Sequence, residues 1–129
     1  MNLKTYLTAE EYEEVKGINL AQEIGGSSDH PENDAKMFIY RVESDLIAYL
    51  TTNYDFTESD IETNERTLNG FKLAVCDQVE YYIEKGITSI GENVGPGANE
   101  NSNPSNIAMI SPNAKFKLRT LGFMNIRSY

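Results

Sequence analysis

The residues of this chain that could support metal or nucleophilic chemistry are few and isolated. There is one histidine, His30, and one cysteine, Cys76. A zinc site needs several such ligands together, and a cysteine nucleophile needs an activating base beside it. The sequence offers neither set. We therefore interpret His30 as a surface loop residue and Cys76 as a half-buried structural cysteine, and we predict no metal site.

Carboxylates occur in close groups, which is the arrangement that general acid–base catalysis uses. The groups are Glu10/Glu11/Glu13/Glu14, Asp60/Glu62 and Glu80/Glu84. Asp77, Glu80 and Glu84 are predicted on the polar face of a long helix, where such charges are usually solvated. The glycine-containing stretches have no lysine in phosphate-loop spacing. The sequence thus predicts no catalytic residue, no cofactor and no enzymatic activity.

The totals are those of one ordinary globular domain. The chain has 129 residues, with 40% hydrophobic and 24% charged residues. No apolar run approaches the roughly 18 residues of a membrane span, so we expect no membrane association. The beginning, MNLKTYLTAEEYEEV, lacks the apolar core of a secretory signal. A single cysteine permits no internal disulfide, which favours a cytosolic protein.

The charge distribution is uneven along the chain. The net charge is −9, which argues against binding to a nucleic-acid backbone. Residues 1–66 hold 15 acidic and 5 basic residues, whereas residues 67–129 hold 5 acidic and 6 basic residues. One interpretation is that these are solvated helix faces. The other is a head-to-tail contact, in which the basic end of one copy meets the acidic face of the next.

Hydrophobic spacing and end signals predict four helices. The first begins after Thr8, which forms a T-x-x-E capping box with Glu11, and it ends near Gly17. The second covers about 33–52 and the third about 57–85, and we expect these two to pair as an antiparallel hairpin. Gly70 predicts a kink or a close helix approach in the third helix. Ser111 and Pro112 begin a fourth helix over about 112–121.

The segment between the third and fourth helices has a different composition. Two short apolar runs, TSIGENV and NIAMISP, flank the polar stretch GPGANENSNPS. This pattern predicts a β-hairpin over 88–110 with a long polar loop. Loops longer than about 12 residues are uncommon unless they bind, cover a site or are disordered. We predict a mainly α fold for residues 1–129, a small four-helix domain with one projecting hairpin.

The order of these parts resembles the head–tail connector proteins of long-tailed bacteriophages, also called head-completion or adaptor proteins. The resemblance rests on the helix FKLAVCDQVEYYIEKG, the Ser-Ile-Gly of 89–91, the Ile-Ser-Pro of 110–112 and the Leu-Gly of 121–122. It covers nearly the whole chain, and the order of its short motifs carries it. The long connection GSSDHPEN and the tail FMNIRSY depart from the pattern.

The resemblance implies a structural virion protein of the neck that is in the host cytoplasm during assembly. Such a protein forms a homo-oligomeric ring, usually of twelve copies, on the portal. The ring extends the DNA channel and binds a stopper or tail-completion protein, while DNA passes without sequence-specific binding. On this reading we predict the following partner-binding residues: Ile90, Gly91, Val94, Gly95, Gly97, Pro104, Ile107, Met109, Ile110, Lys115, Lys117, Arg119, Arg127 and Tyr129.

The acidic first half also permits an alternative of another class. A small acidic protein can mimic DNA and occupy a nuclease or a repressor. Such a mimic should space its carboxylates along an exposed face, and it has no use for a long uncharged hairpin. A two-row acidic stripe on the folded surface would favour the mimic over the connector.

Overall fold

A computed structural model of the protein describes residues 4–24, 31–86 and 110–125. It is mainly helical, and these residues include no strand. The predicted hairpin over 88–110 lies outside the described residues except for Ile110. The described helices are α1 (Ala9–Lys16), α2 (Leu20–Glu23), α3 (Pro31–Asn53), a 3-10 turn (Glu58–Asp60), α4 (Glu65–Glu84) and α5 (Pro112–Thr120). Within these ranges, no helix combines the length and hydrophobicity that crossing a membrane requires.

The ends of α1 are as the sequence predicts. The Glu11 amide donates to Thr8 Oγ1 at 3.1 Å, and the Thr8 amide donates to the Glu11 carboxylate at 3.0 Å. Gly17 ends the helix with φ +73°, a left-handed conformation that glycine adopts without a Cβ penalty. The short α2, which Asn19 caps, was not predicted. It lies between Gly17, where we expected the first helix to end, and the second predicted helix, in a stretch for which no helix was predicted.

Helix α3 confirms the prediction of a long amphipathic helix with small shifts at both ends. Side chains at three- and four-residue steps form one buried face. The members of that face are Ala35, Phe38, Ile39, Val42, Leu46, Tyr49 and Leu50. The hydrophobic spacing therefore identified which side of α3 meets the core.

The predicted helix over 57–85 is wrong in its first part. Thr57 and Asp60 do form a capping box, but it begins only the 3-10 turn. The chain then leaves helical geometry, and Asn64 begins α4 by accepting the Thr67 amide at 2.8 Å. Asparagine is among the best N-cap residues because its side chain replaces a missing helical acceptor. The N-cap at Asn64 therefore divides a segment that the hydrophobic spacing alone predicts as one continuous helix.

Helix α4 packs against both α5 and α3. Gly70 permits the close approach of the α5 end, because a Cβ at this position would lie 2.5 Å from Leu121 Cδ2. The close approach predicted at Gly70 is thus confirmed. The predicted contact between α3 and α4 is present as well.

The tail after α5 returns to the core. Phe123 is buried, and its ring centroid lies 5.2 Å from that of Phe56 and 6.5 Å from that of Phe71. Met124 packs against the same cluster. These contacts confirm that the apolar tail residues pack on the body, while Ile126 lies outside the described residues.

Candidate interaction surface

Asp77 connects three helices through one buried carboxylate. Lys16 of α1 donates to Asp77 Oδ1 at 3.0 Å, and Lys117 of α5 donates to Asp77 Oδ2. Lys16 also binds Glu80 at 3.0 Å. Burial lowers the pKa of Lys16, but its hydrogen bonds and charge interactions with Asp77 and Glu80 outweigh this and raise it. Asp77 is only 8% exposed, so the prediction that it lies on a solvated face is wrong.

Glu43 on α3 is a second buried carboxylate, and backbone donors hold it. The Tyr6 amide lies 3.0 Å from both carboxylate oxygens, and the Leu7 amide lies 2.8 Å from Oε2. Glu43 therefore fastens the segment before α1 to α3. Burial raises the pKa of Glu43 to about 7, against the lowering effect of the two amides, and the charge of Glu58 adds to the increase.

Cys76 is more deeply buried than predicted, at 1% exposure. Burial raises the pKa of its thiol to about 12. A thiol with such a pKa is protonated at neutral pH and is a poor nucleophile. Across residues 4–24, 31–86 and 110–125, no group of three or more His, Cys, Asp or Glu side chains could hold a metal ion.

Buried residues hold the chain where it enters α5. Gly86 follows α4 with φ +77°, and the chain is described again from Ile110, which is buried. The amide of Ser111 donates to Oε1 of the fully buried Gln78 at 2.7 Å. Ser111 Oγ then accepts the amides of Asn113 and Ala114 and begins α5.

The solvent side of α5 combines an aromatic residue with basic residues. Phe116 is 63% exposed, and Arg119 is exposed one turn later on the same side. Lys115 is half-buried, and its ammonium lies 5.8 Å from the ring centroid of Tyr49. These residues form what we call the α5 outer face, consisting of Lys115, Phe116 and Arg119.

The solvent side of α1 is acidic. Glu10, Glu13 and Glu14 are exposed and share one side of the helix through three- and four-residue spacing. We call these three glutamates the α1 outer face. Val15 is also exposed, at 48%, but helical spacing places it on a different side of α1. The α1 outer face is negatively charged, whereas the α5 outer face carries apolar surface beside positive charge.

The structure places four of the predicted partner-binding residues, and they do not form one surface. Ile110 belongs to the core, so its side chain has no free surface for a partner. Lys117 is bound to Asp77 of its own chain. Lys115 and Arg119 remain on the α5 outer face. The other predicted residues lie outside the described residues: Ile90, Gly91, Val94, Gly95, Gly97, Pro104, Ile107, Met109, Arg127 and Tyr129.

Sequence reasoning missed Phe116 and Gln78. The spacing of α5 contains the signal for Phe116, because it lies opposite Ala114 and Leu118, both of which are buried. Nothing in the sequence indicated Gln78, because a glutamine within a helix usually faces solvent. Its burial depends on the return of the chain at Ser111, a contact between residues 33 apart.

No protein-family model, curated protein sequence or solved structure matches this chain.

Proposed function

We propose that this protein is a head–tail connector of a long-tailed bacteriophage. In this role it is a structural subunit of the virion neck, located between the portal and the stopper or tail-completion protein. Copies of it form a ring that extends the DNA channel. It catalyses no reaction and needs no cofactor.

The observation that carries the proposal is the composition of residues 87–109, which the sequence places between α4 and α5. This stretch is 23 residues long and rich in Gly, Asn and Ser. Gln78 fixes its return point through the Ser111 amide. A polar segment of this length adds little to a hydrophobic core, so its value is expected to lie in a partner.

The separation of charge also supports a protein that assembles by repetition. The α1 outer face is acidic and the α5 outer face is basic, and both are exposed in one chain. Two different faces that bind each other generate a ring or a filament instead of a closed pair. The net charge of −9 suits a channel protein, because a strongly basic lumen would bind passing phosphates.

The test is genetic complementation in the virus that carries the gene. Deletion of the gene should give DNA-filled heads without tails in electron micrographs, and the full-length gene should restore tailed particles. A shortened gene, in which Asn-Gly replaces residues 95–103, should give a folded protein that fails to restore them. Its matched control is a full-length gene in which residues 95–103 are kept but permuted. Normal titres from the shortened gene would contradict the role of the segment, and tailed particles without the gene would contradict the proposed function.

A further inference from the structure

Residues 4–7 lie against the middle of α3, and we call them the strap. Two backbone amides of the strap donate to Glu43, and the Tyr6 hydroxyl shares its proton between Glu58 and Glu62. Among the described residues, every hydrogen bond that joins the strap to another part of the chain ends on one of these three carboxylates. The hydrogen-bonded attachment of the strap therefore depends on groups that can gain or lose a proton.

The strap lies between two cavities along α3. Ala35 and Ile39 line the first, which has a volume of about 520 Å³ and lies before the point where the strap contacts the helix. Ser44 and Ile47 line the second, which has a volume of about 270 Å³ and lies after that point. Lys4 lines both cavities, so the strap forms the wall between them. Movement of the strap away from α3 would join the cavities into one groove along about three turns of the helix.

Titratable groups surround Glu43, but among the described residues no cation forms an ion pair with it. They are Lys4 and Tyr6 of the strap, Tyr40 of α3, Glu58 of the 3-10 turn, Glu62 after that turn, and Lys72 of α4. Burial has the largest effect and raises the pKa of Glu43 to about 7, the charge of Glu58 adds to the increase, and Lys72, which is paired with Glu11, opposes it. Burial and two hydrogen bonds raise the pKa of Tyr6, so its hydroxyl stays protonated near neutral pH. Glu43 therefore changes its charge near neutral pH while it lies beneath the strap.

We propose that the strap is a pH-operated lid, which leaves α3 when Glu43 loses its proton and closes again when Glu43 regains it. The protonated carboxyl can still accept from the strap amides, and it can be buried without a charge. The carboxylate is hydrated better when the strap is open, so the closed state binds more protons and the open fraction rises with pH. Leu7 is buried, and the Tyr6 ring packs on that of Phe71 at 5.6 Å, which favours the closed state at every pH. This inference does not rest on the proposed function.

Hydrogen exchange of the Tyr6 and Leu7 amides, followed by NMR, measures the opening, because both amides donate to Glu43 when the strap is closed. After correction for the intrinsic exchange rate, their protection should fall about twentyfold from pH 5.5 to pH 7.5. A low concentration of urea should leave this exchange unchanged but should speed that of the Val75 amide in the core, which requires global unfolding. Strap amides whose protection is the same at both pH values, or which follow Val75 in urea, would overturn the proposal.

Three variants assign the opening to Glu43. Glu43→Gln can accept from the same amides but does not titrate, so the protection of its strap amides should be equal at the two pH values. Glu14→Gln changes an exposed carboxylate of α1, and this matched control should keep the twentyfold fall. Tyr6→Phe removes only the hydroxyl and should raise strap exchange about twofold at both pH values, with their ratio unchanged. A fall in Glu43→Gln as large as in the wild type, or a loss of the fall in Glu14→Gln or Tyr6→Phe, would overturn the role of Glu43.

Discussion

Asp77 and Glu43 are both buried carboxylates, but the groups around them differ. Asp77 receives two lysine ammoniums, one from α1 and one from α5. Glu43 receives two backbone amides, which carry no net charge, and it lies near the negative charge of Glu58. Backbone donors compensate only part of the cost of burying a charge. Charge pairs around Asp77 therefore hold α1, α4 and α5 together. The segment before α1 is held instead by Glu43, whose pKa is about 7.

The largest expected effect comes from a buried carboxylate with no partner. Val75 is fully buried on α4, and Val75→Asp should cost about 4 kcal/mol or more of the free energy of unfolding. This is a large part of the roughly 5–15 kcal/mol that stabilises a typical domain. Circular dichroism should show an unfolded chain at neutral pH. Val75→Ala is the control, because it leaves only a cavity, and it should stay folded. A Val75→Asp variant that melts like the wild type would show that a buried carboxylate needs no hydrogen-bond donors at this position.

The next effect is a pH dependence that Glu43 supplies. Its pKa is about 7 in the folded protein and 4.5 in its ordinary state, so the folded chain binds more protons between these values. The protonated Glu43 therefore contributes its full share of the free energy of unfolding below about pH 4.5, and this share is lost as the pH rises through 7. Between these two limits the free energy of unfolding should fall by about 3 kcal/mol.

Urea titrations at pH 5 and pH 8 measure this effect, with Glu43→Gln as the test variant. The wild type should lose more stability than the variant on going from pH 5 to pH 8. Glu14→Gln, which changes an exposed carboxylate of α1, is the matched control and should keep the wild-type difference. An unchanged pH dependence in Glu43→Gln would mean that the amides of Tyr6 and Leu7 suffice to keep Glu43 ionised.

Asp77→Ala should have a smaller effect, about 2 kcal/mol. Removing one member of a buried ion pair usually costs about 3–5 kcal/mol because the other charge remains buried. Here the side chains of Lys16 and Lys117 are 19% and 37% exposed, so both can recover hydration. Glu80→Ala is the control and should cost no more than about 0.5 kcal/mol, because its side chain is 42% exposed. Equal losses in the free energy of unfolding for the two variants would show that Asp77 contributes no more than Glu80 to holding α1, α4 and α5 together.

The smallest effects concern two tyrosine hydroxyls and should have opposite signs. Tyr6 Oη lies 2.8 Å from Glu58 Oε2 and 3.1 Å from Glu62 Oε2 and shares its one proton between these two acceptors, so Tyr6→Phe should cost about 0.5 kcal/mol. The buried Tyr12 hydroxyl has no hydrogen-bond partner among the described residues. Tyr12→Phe removes that unpaired group and should stabilise the protein by about 0.5–1 kcal/mol. Paired thermal melts compare the two, and a loss in both would show that Tyr12 has a partner after all.

Local signals in the sequence predicted the parts of the fold that depend on neighbouring residues. Thr8 with Glu11, and Ser111 with Pro112, marked helix starts that the structure contains. The spacing of apolar residues identified the buried face of α3. The break before Asn64 was missed because the hydrophobic spacing continues across it through Ile61 and Leu68.

The contacts of the buried carboxylates were harder to predict. Asp77 and Glu43 are polar residues within helices, and such residues are assigned to the solvent side by default. Their burial depends on Lys117 and Tyr6, which are 40 and 37 residues away in the chain. No pattern within one helix contains that information. The uneven charge along the chain was visible in the sequence, but the structure was needed to separate Lys117, which is bound internally, from Arg119, which is exposed.

Quantitative mass spectrometry of purified virions tests the central claim most directly. Isotope-labelled peptides from this chain and from the portal protein would give the ratio of the two in intact particles and in isolated necks. We expect the chain to be a fixed component of the virion, enriched with the portal in the neck fraction and present in equal or simple proportion to it. A chain that is abundant in infected cells but absent from purified particles would contradict a role as head–tail connector.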